Sequence, residues 1–185
     1  FALNTASPFM GMLNSGLQLY WLKHTKPEIW NKVHYCLHLP QYLSCLFTGK
    51  ALSDYTSVGC HTGLWNFKSH QYHSWVLAEE IDKKLAPLTS SAMAGEKDGI
   101  GIGTGLHDSS SALIPYLQQY KEPFLLISTG TWCISLNLFN KTSLTVEELK
   151  KDTLCYLQAN GEPVKASRVF LGKEHEYQTK RIAAQ

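Results

Sequence analysis

The 185-residue chain lacks any apolar run near the roughly 20 residues that a membrane-spanning helix needs. It also lacks a basic stretch followed by an apolar one at its start, so no secretory leader is read there. An excess of charge of one sign is nearly missing. Lys and Arg number 17 against 15 Asp and Glu, and a net charge of +2 argues for neither nucleic acid nor a membrane surface as partner. No basic stripe is interleaved with aromatics. Cys36, Cys45, Cys60, Cys133 and Cys155 form no Cys-x-x-Cys pair and make an odd count. Each neighbours apolar residues, which suits reduced, mostly buried thiols in a cytoplasmic protein and not a disulfide framework or zinc site. Two nucleotide signatures are missing as well. No Lys follows the glycines of 99–105 as a P-loop requires, and Leu106 stands where a Rossmann fingerprint needs its third glycine.

What is present divides near residues 120–122. An apolar fraction of 44% with 17% charged residues is that of a globular chain with a real core. The first part reads as mostly helical. Leu13, Leu17, Tyr20 and Trp21 predict a helix over 12–24, and Thr25–Glu28 fits a capping box opening a second helix from 26 to about 37. Pro40 restarts a helix that Thr48-Gly49 stops, Asp54 caps a short turn, and Ser74 opens a helix carrying Trp75, Ala78, Ile81 and Leu85. Ile100 and Ile102 alternate with glycine as a weak strand. Residues 109–120 follow as a helix, with Asp108 as its expected N-cap. Beyond Lys121-Glu-Pro123 the chain becomes strand-led. A hairpin of 124–127 and 132–138 turns at 128–131, a short helix covers 146–149, and strands at 153–157 and 167–171 flank Asn160-Gly161. A final helix is expected over 180–185, and no internal repeat is found.

Two segments carry chemistry. Residues 99–108 end in His107-Asp108, and Phe124–Trp132 ends in Ser128-Thr-Gly-Thr131. Asp108 is placed to accept a proton from a substrate hydroxyl, although Asp at a helix start is also an ordinary cap. Gly130 lets backbone N–H groups face an anion, and Ser128, Thr129 and Thr131 add hydroxyl donors. A carboxylate and an anion-ready turn about twenty residues apart are the parts that phosphoryl transfer across a cleft requires. His107, Asp108 and Ser109 hold the three residue types of a hydrolytic triad, but as immediate neighbours they cannot readily align nucleophile, base and orienter. His61, His70 and His73 show no His-x3-His spacing with a third ligand and read as surface or loop residues.

In this order the motifs resemble the FGGY-type carbohydrate kinases of the actin-like, ribonuclease H-like ATPase superfamily. The likeness runs through Leu17–Lys23, Pro27–Trp30, Leu39–Leu43, Leu46–Gly49, Ser53–Tyr55 and Thr62–Leu64, then His107-Asp108 and Ser128–Trp132. It implies an α/β fold, with parts of two domains flanking a cleft. Residues 1–120 would be the latter part of a sugar-binding domain and 121–185 the start of an ATP-binding domain. It implies Asp108 as general base, His107 against the sugar, and Ser128, Thr129, Gly130 and Thr131 on the nucleotide phosphates, with ATP and Mg²⁺ as cofactors and no metal ligand assigned in this chain. His-Asp with Ser-Thr-Gly-Thr-Trp is most similar to the rhamnulokinase and fuculokinase branch, which phosphorylates 6-deoxy-ketohexoses. A non-catalytic sugar- or nucleotide-binding relative is the alternative, and a homodimer is compatible with either. The family's opening Asp-x-Gly-x-Thr motif and distal Gly-rich adenosine motif have no match, and 88–99 is short between Ser91 and Asp98. The chain therefore reads as an internal part of such a kinase, inactive alone.

Overall fold

The computed structural model describes residues 1–90 and 93–184. Ser91 and Ala92, in the stretch expected to be short, and Gln185, the end of the last expected helix, lie outside the described residues.

The strand-led part is a four-stranded antiparallel sheet. Its order is Leu126–Ser128, Cys133–Asn137, Pro163–Val169 and Thr153–Leu157. Ile127 faces Ser135 across the first pair, and Lys165 faces Cys155 across the last. The period of two puts Leu136 and Leu138, Leu154 and Tyr156, and Val164 and Ala166 on one buried face. The expected hairpin is present. The last strand starts earlier than expected, because Pro163 pairs with Leu157, and proline is tolerated as a strand's first residue. Leu171 leaves the sheet and opens the helix Leu171–Ala183. Thr145 and Glu148 form a full capping box ahead of the helix Val146–Lys150.

The helical part gathers around Trp30, Val58, Leu64, Trp65, Val76, Ile81 and Leu85, with Leu157 from the sheet inserted among them. In return, Cys60 and Leu113 complete the sheet's own cluster. The two cores interlock at the strand Thr153–Leu157. Gly59 makes this possible, since any Cβ there would collide with the Leu157 side chain.

Several helices differ from their sequence patterns. Only Pro27–Trp30 of the expected 26–37 helix forms. Thr25 ends the preceding helix, Ser15–Thr25, and its hydroxyl donates back to the Trp21 carbonyl (2.8 Å), so it cannot cap the next one. Beyond Trp30 tertiary contacts override propensity: Val33 O accepts from Lys84 Nζ (2.6 Å), and Cys36 bridges to Leu85. The expected 109–120 helix is two pieces, Asp108–Ser111 and Ile114–Gln119, because Pro115 has no N–H to continue the ladder. His107 is the N-cap and Asp108 the first helical residue. The helix Leu39–Thr48, capped by Gly49, stands where the sequence put it, and Asp54 caps its turn through Ser57 N (2.9 Å). The helix opened by Ser74 ends at Ala78, short of the expected Ile81 and Leu85, because Glu80 turns left-handed (φ 52°) and a separate short turn over Asp82–Lys84 follows.

Ile100–Gly103 pairs with Met93–Lys97 in a hairpin turned at Asp98 and Gly99, both left-handed. The hairpin lies on the helix Leu39–Thr48, with Ser44 Oγ donating to Gly103 O (2.7 Å) and Gln41 Nε2 to Gly105 O (3.0 Å). Gly105 has φ 90°, and a Cβ there would meet Pro40 O at 2.8 Å. Gly105 therefore serves a close chain crossing and not the approach of a ligand.

Candidate active site

Long-range side-chain bonds fix the segment that carries His107 and Asp108. The Asp54 carboxylate accepts from the Thr56 hydroxyl, and Thr56 Oγ1 accepts the His107 N–H (2.8 Å). Three residues on, Ser110 Oγ donates to Leu157 O (2.9 Å). The Asp108 side chain between these anchors is 91% exposed, with Oδ1 accepting from Ser109 N (2.6 Å). His107 Nδ1 lies 3.2 Å from Asp108 Oδ1 but off the line of a hydrogen bond, and it is buried without a hydrogen-bond partner. Ser109 Oγ donates to Asp108 (3.3 Å) and not to the imidazole, so the bonding order of a hydrolytic triad is not made.

His107 opens onto a pocket of about 240 Å³. Ser15, His38, Cys60, His61 and Thr62 line it with polar groups, and Leu13, Leu39 and Pro40 make an apolar side. His61 is a loop residue as expected, but it is turned inward and half-buried, and so is not a surface histidine. Its ring centroid lies 6.4 Å from that of His107 and 5.5 Å from that of Tyr156. His38 Nε2 is 3.1 Å from Ser15 Oγ. Burial lowers the pKa of both His38 and His107, outweighing the opposing pull of nearby carboxylates. Burial, with help from the Arg168 and His107 charges, pushes His61 down to about 4. Neutral imidazoles each present one donor and one acceptor. His73 instead caps the helix Ser74–Ala78, and His70 is exposed.

The Ser128–Thr131 turn is exposed at the open end of its hairpin. Gly172 N donates to Thr131 O (3.0 Å), and Trp132 stacks on Phe170 with centroids 4.7 Å apart. A Cβ on Gly130 would meet only Trp132 O, at 3.6 Å, so the backbone here is open to a ligand. Exposed hydroxyls and backbone N–H groups of this kind fit the phosphates of a nucleotide. Arg168 joins the two regions. Its guanidinium lies 5.4 Å from the Trp132 ring, pairs with both Asp152 oxygens (2.7 and 3.0 Å), and adds positive field at Cys60, His61 and Tyr156. Asp108 acts on the same three groups with the opposite sign. Among the described residues no group of three or more His, Cys, Asp or Glu is arranged to hold a metal, and no helix is long and apolar enough to cross a membrane.

Sequence reasoning missed Thr56, His38, His61 and Arg168 as site residues. The Asp54-Tyr-Thr56 turn was legible as a cap, but its tie to His107 spans 51 residues and leaves no local signal.

Comparison with known proteins shows what the chain is similar to in sequence and fold. Residues 121–185 match the family model of the carbohydrate kinase FGGY C-terminal domain. A carbohydrate kinase structure from Novosphingobium aromaticivorans superposes with a TM-score of 0.85 at 26% identity, over 95% of this chain and 41% of that one. The chain is FGGY-kinase-like in sequence and in fold. The FGGY kinases have the actin-like ATPase fold, and this chain shares that fold over the part of it that the chain spans. The rhamnulokinase of Oceanobacillus iheyensis is 28% identical over 65% of this chain and 28% of its own length. The L-fuculokinase of Escherichia coli is 26% identical over 64% of the chain and 28% of its own. The ligand-bound xylulose kinase of Lactobacillus acidophilus shares the fold at 17% identity (TM-score 0.69; 89% of this chain, 35% of that one). The chain thus spans under a third of the length of the curated relatives it matches.

Proposed function

We propose that the whole protein is an ATP-dependent kinase that phosphorylates a hydroxyl of a ketose, a 6-deoxy-ketohexose of the rhamnulose or fuculose type before others. The observation that carries this reading is an exposed carboxylate, Asp108, beside an imidazole-lined pocket of sugar size. In this reading the hydroxyl proton passes to the Asp108 carboxylate as the oxygen attacks the γ-phosphorus. The new O–P bond forms while the bond to the β–γ bridging oxygen breaks, and ADP leaves. His107 orients the acceptor. Ser128, Thr129, Gly130 and Thr131 hold the phosphates with hydroxyl and backbone donors. Magnesium carried with the phosphates supplies charge neutralisation. The domain division falls near 120–122, with the acceptor site before it and the phosphate loop after it. Closure of the whole protein's cleft over its bound substrates excludes water and limits hydrolysis of ATP.

The similarity to a rhamnulokinase and an L-fuculokinase supports the deoxy-ketohexose, as does the apolar side made by Leu13, Leu39 and Pro40, which suits a methyl group. A cytoplasmic location and a homodimer belong to the same reading. A coupled assay of ADP release by the full-length protein, run against ketoses, aldoses and polyols, tests it. Turnover is expected with rhamnulose or fuculose and less with xylulose. ATP binding without turnover of any sugar would favour the non-catalytic relative.

A further inference from the structure

We infer that His61 is a specificity-determining residue of the acceptor pocket, hydrogen-bonding a sugar hydroxyl other than the one phosphorylated. This rests on the kinase reading above and extends it to a residue outside the His107-Asp108 pair. The backbone of His61 carries the first argument. Its φ is 38°, in the left-handed region that a histidine adopts only at a cost. The strained loop is tied down from a distant helix start: Asn14 Nδ2 donates to His61 O (2.6 Å), and Gly16 N donates to Thr62 O (2.9 Å). Asn14 Oδ1 is itself engaged by Met10 N (2.9 Å), which fixes the amide. Such bracing holds the His61 side chain in one direction, inward.

The second argument is the company the ring keeps. It stands near His107 and Tyr156, with Nδ1 3.4 Å from Cys60 Sγ, and lines the pocket with His38, Thr62 and His107. Among the described residues no Asp, Glu, Lys or Arg lines this pocket. Its polar groups are neutral imidazoles, hydroxyls and the Cys60 thiol, which together offer both donors and acceptors. An uncharged ligand bearing closely spaced hydroxyls satisfies both at once, whereas an anion or cation finds no charged side chain on the pocket wall. His107 itself keeps a buried Nδ1 without a hydrogen-bond partner, so this ring is not fully satisfied within the fold. A volume of about 240 Å³ is that of a small-molecule site, below the roughly 300–1,000 Å³ of drug-sized pockets.

The test uses the full-length protein and the variants His61→Gly and His61→Asn. Glycine removes the ring and relieves the strained φ, and asparagine tolerates that φ while keeping a donor and an acceptor. Calorimetric titration with rhamnulose, fuculose and xylulose measures sugar binding without turnover, and coupled kinetics give KM and kcat. His61→Gly is expected to weaken binding of the best ketose about tenfold and to narrow the kcat/KM ratio between best and worst ketose by a similar factor. KM for ATP should stay within twofold of wild type, and His61→Asn should recover part of the lost affinity. Unchanged sugar affinity and unchanged ketose ratios in a folded His61→Gly protein would overturn the assignment. So would a wild-type protein that binds none of the three sugars. Sugar binding without phosphorylation would instead defeat the kinase reading, leaving the His61 variants to decide the pocket by affinity alone. Thermal melting identifies a variant that fails to fold, in which case His61→Asn carries the test.

Discussion

The Asp108 segment and the Ser128–Thr131 turn are built in opposite ways. The first is pinned from both sides by residues about fifty positions away, Thr56 on His107 and Leu157 on Ser110. Its neighbours are half-buried rings with lowered imidazole pKa values. The second is an exposed hairpin end held by a backbone bond from Gly172, the stack of Trp132 on Phe170 and the Arg168 guanidinium over the Trp132 ring. A pinned, prebuilt side suits selection of a small neutral ligand, since little order remains to be imposed on binding. An open loop suits a flexible polyanion, which is gripped through backbone and hydroxyl donors wherever they can reach it. In the kinase reading proposed above, the contrast would put discrimination on the acceptor side and general phosphate binding on the other.

The strongest way to break this contrast is Asp108→Asn in the full-length protein. Removing the proton acceptor is expected to lower kcat for sugar phosphorylation by about 10²–10⁴-fold, with ATP affinity nearly unchanged by titration. Turnover at the wild-type rate would remove Asp108 from the chemistry. The next effect is structural. Leu157 is fully buried where the two cores interlock, and Leu157→Ala is expected to cost about 2–5 kcal/mol in denaturant unfolding. Because Leu157 O also anchors Ser110, sugar KM should rise in the same variant before ATP KM does. Equal losses on both substrates would erase the distinction between pinned and open sides. The smallest effect is expected from Trp132→Ala. Loss of the stack on Phe170 costs about 1 kcal/mol of stability, and KM for ATP should rise severalfold while ketose preference stays fixed. A changed ketose preference in that variant would show that the loop also reads the sugar.

Part of this was legible beforehand. The sheet's hairpin, the helix ending at Gly49, the Asp54 cap and the two chemical segments all follow from alternation, caps and turn residues, which act over a few positions. The expected helix over 26–37 failed for a physical reason that local pattern cannot carry. Thr25 was already committed to the Trp21 carbonyl, and the contacts that redirect the chain beyond Trp30 come from Lys84 and Leu85. Gly105 sits at a close crossing with the backbone of Pro40, a contact that no local pattern announces.

The sequence by itself determined a carboxylate after an imidazole, a hydroxyl-rich turn after a strand, and their order in the chain, because these are properties of neighbouring residues. Tertiary structure alone decided that His61 turns inward from a strained loop. It also put His38 in the same pocket, and it set Arg168 between the turn and that pocket. Those placements depend on packing between segments far apart in sequence, whose free energy is set by burial and shape and leaves no mark on any short stretch of residues.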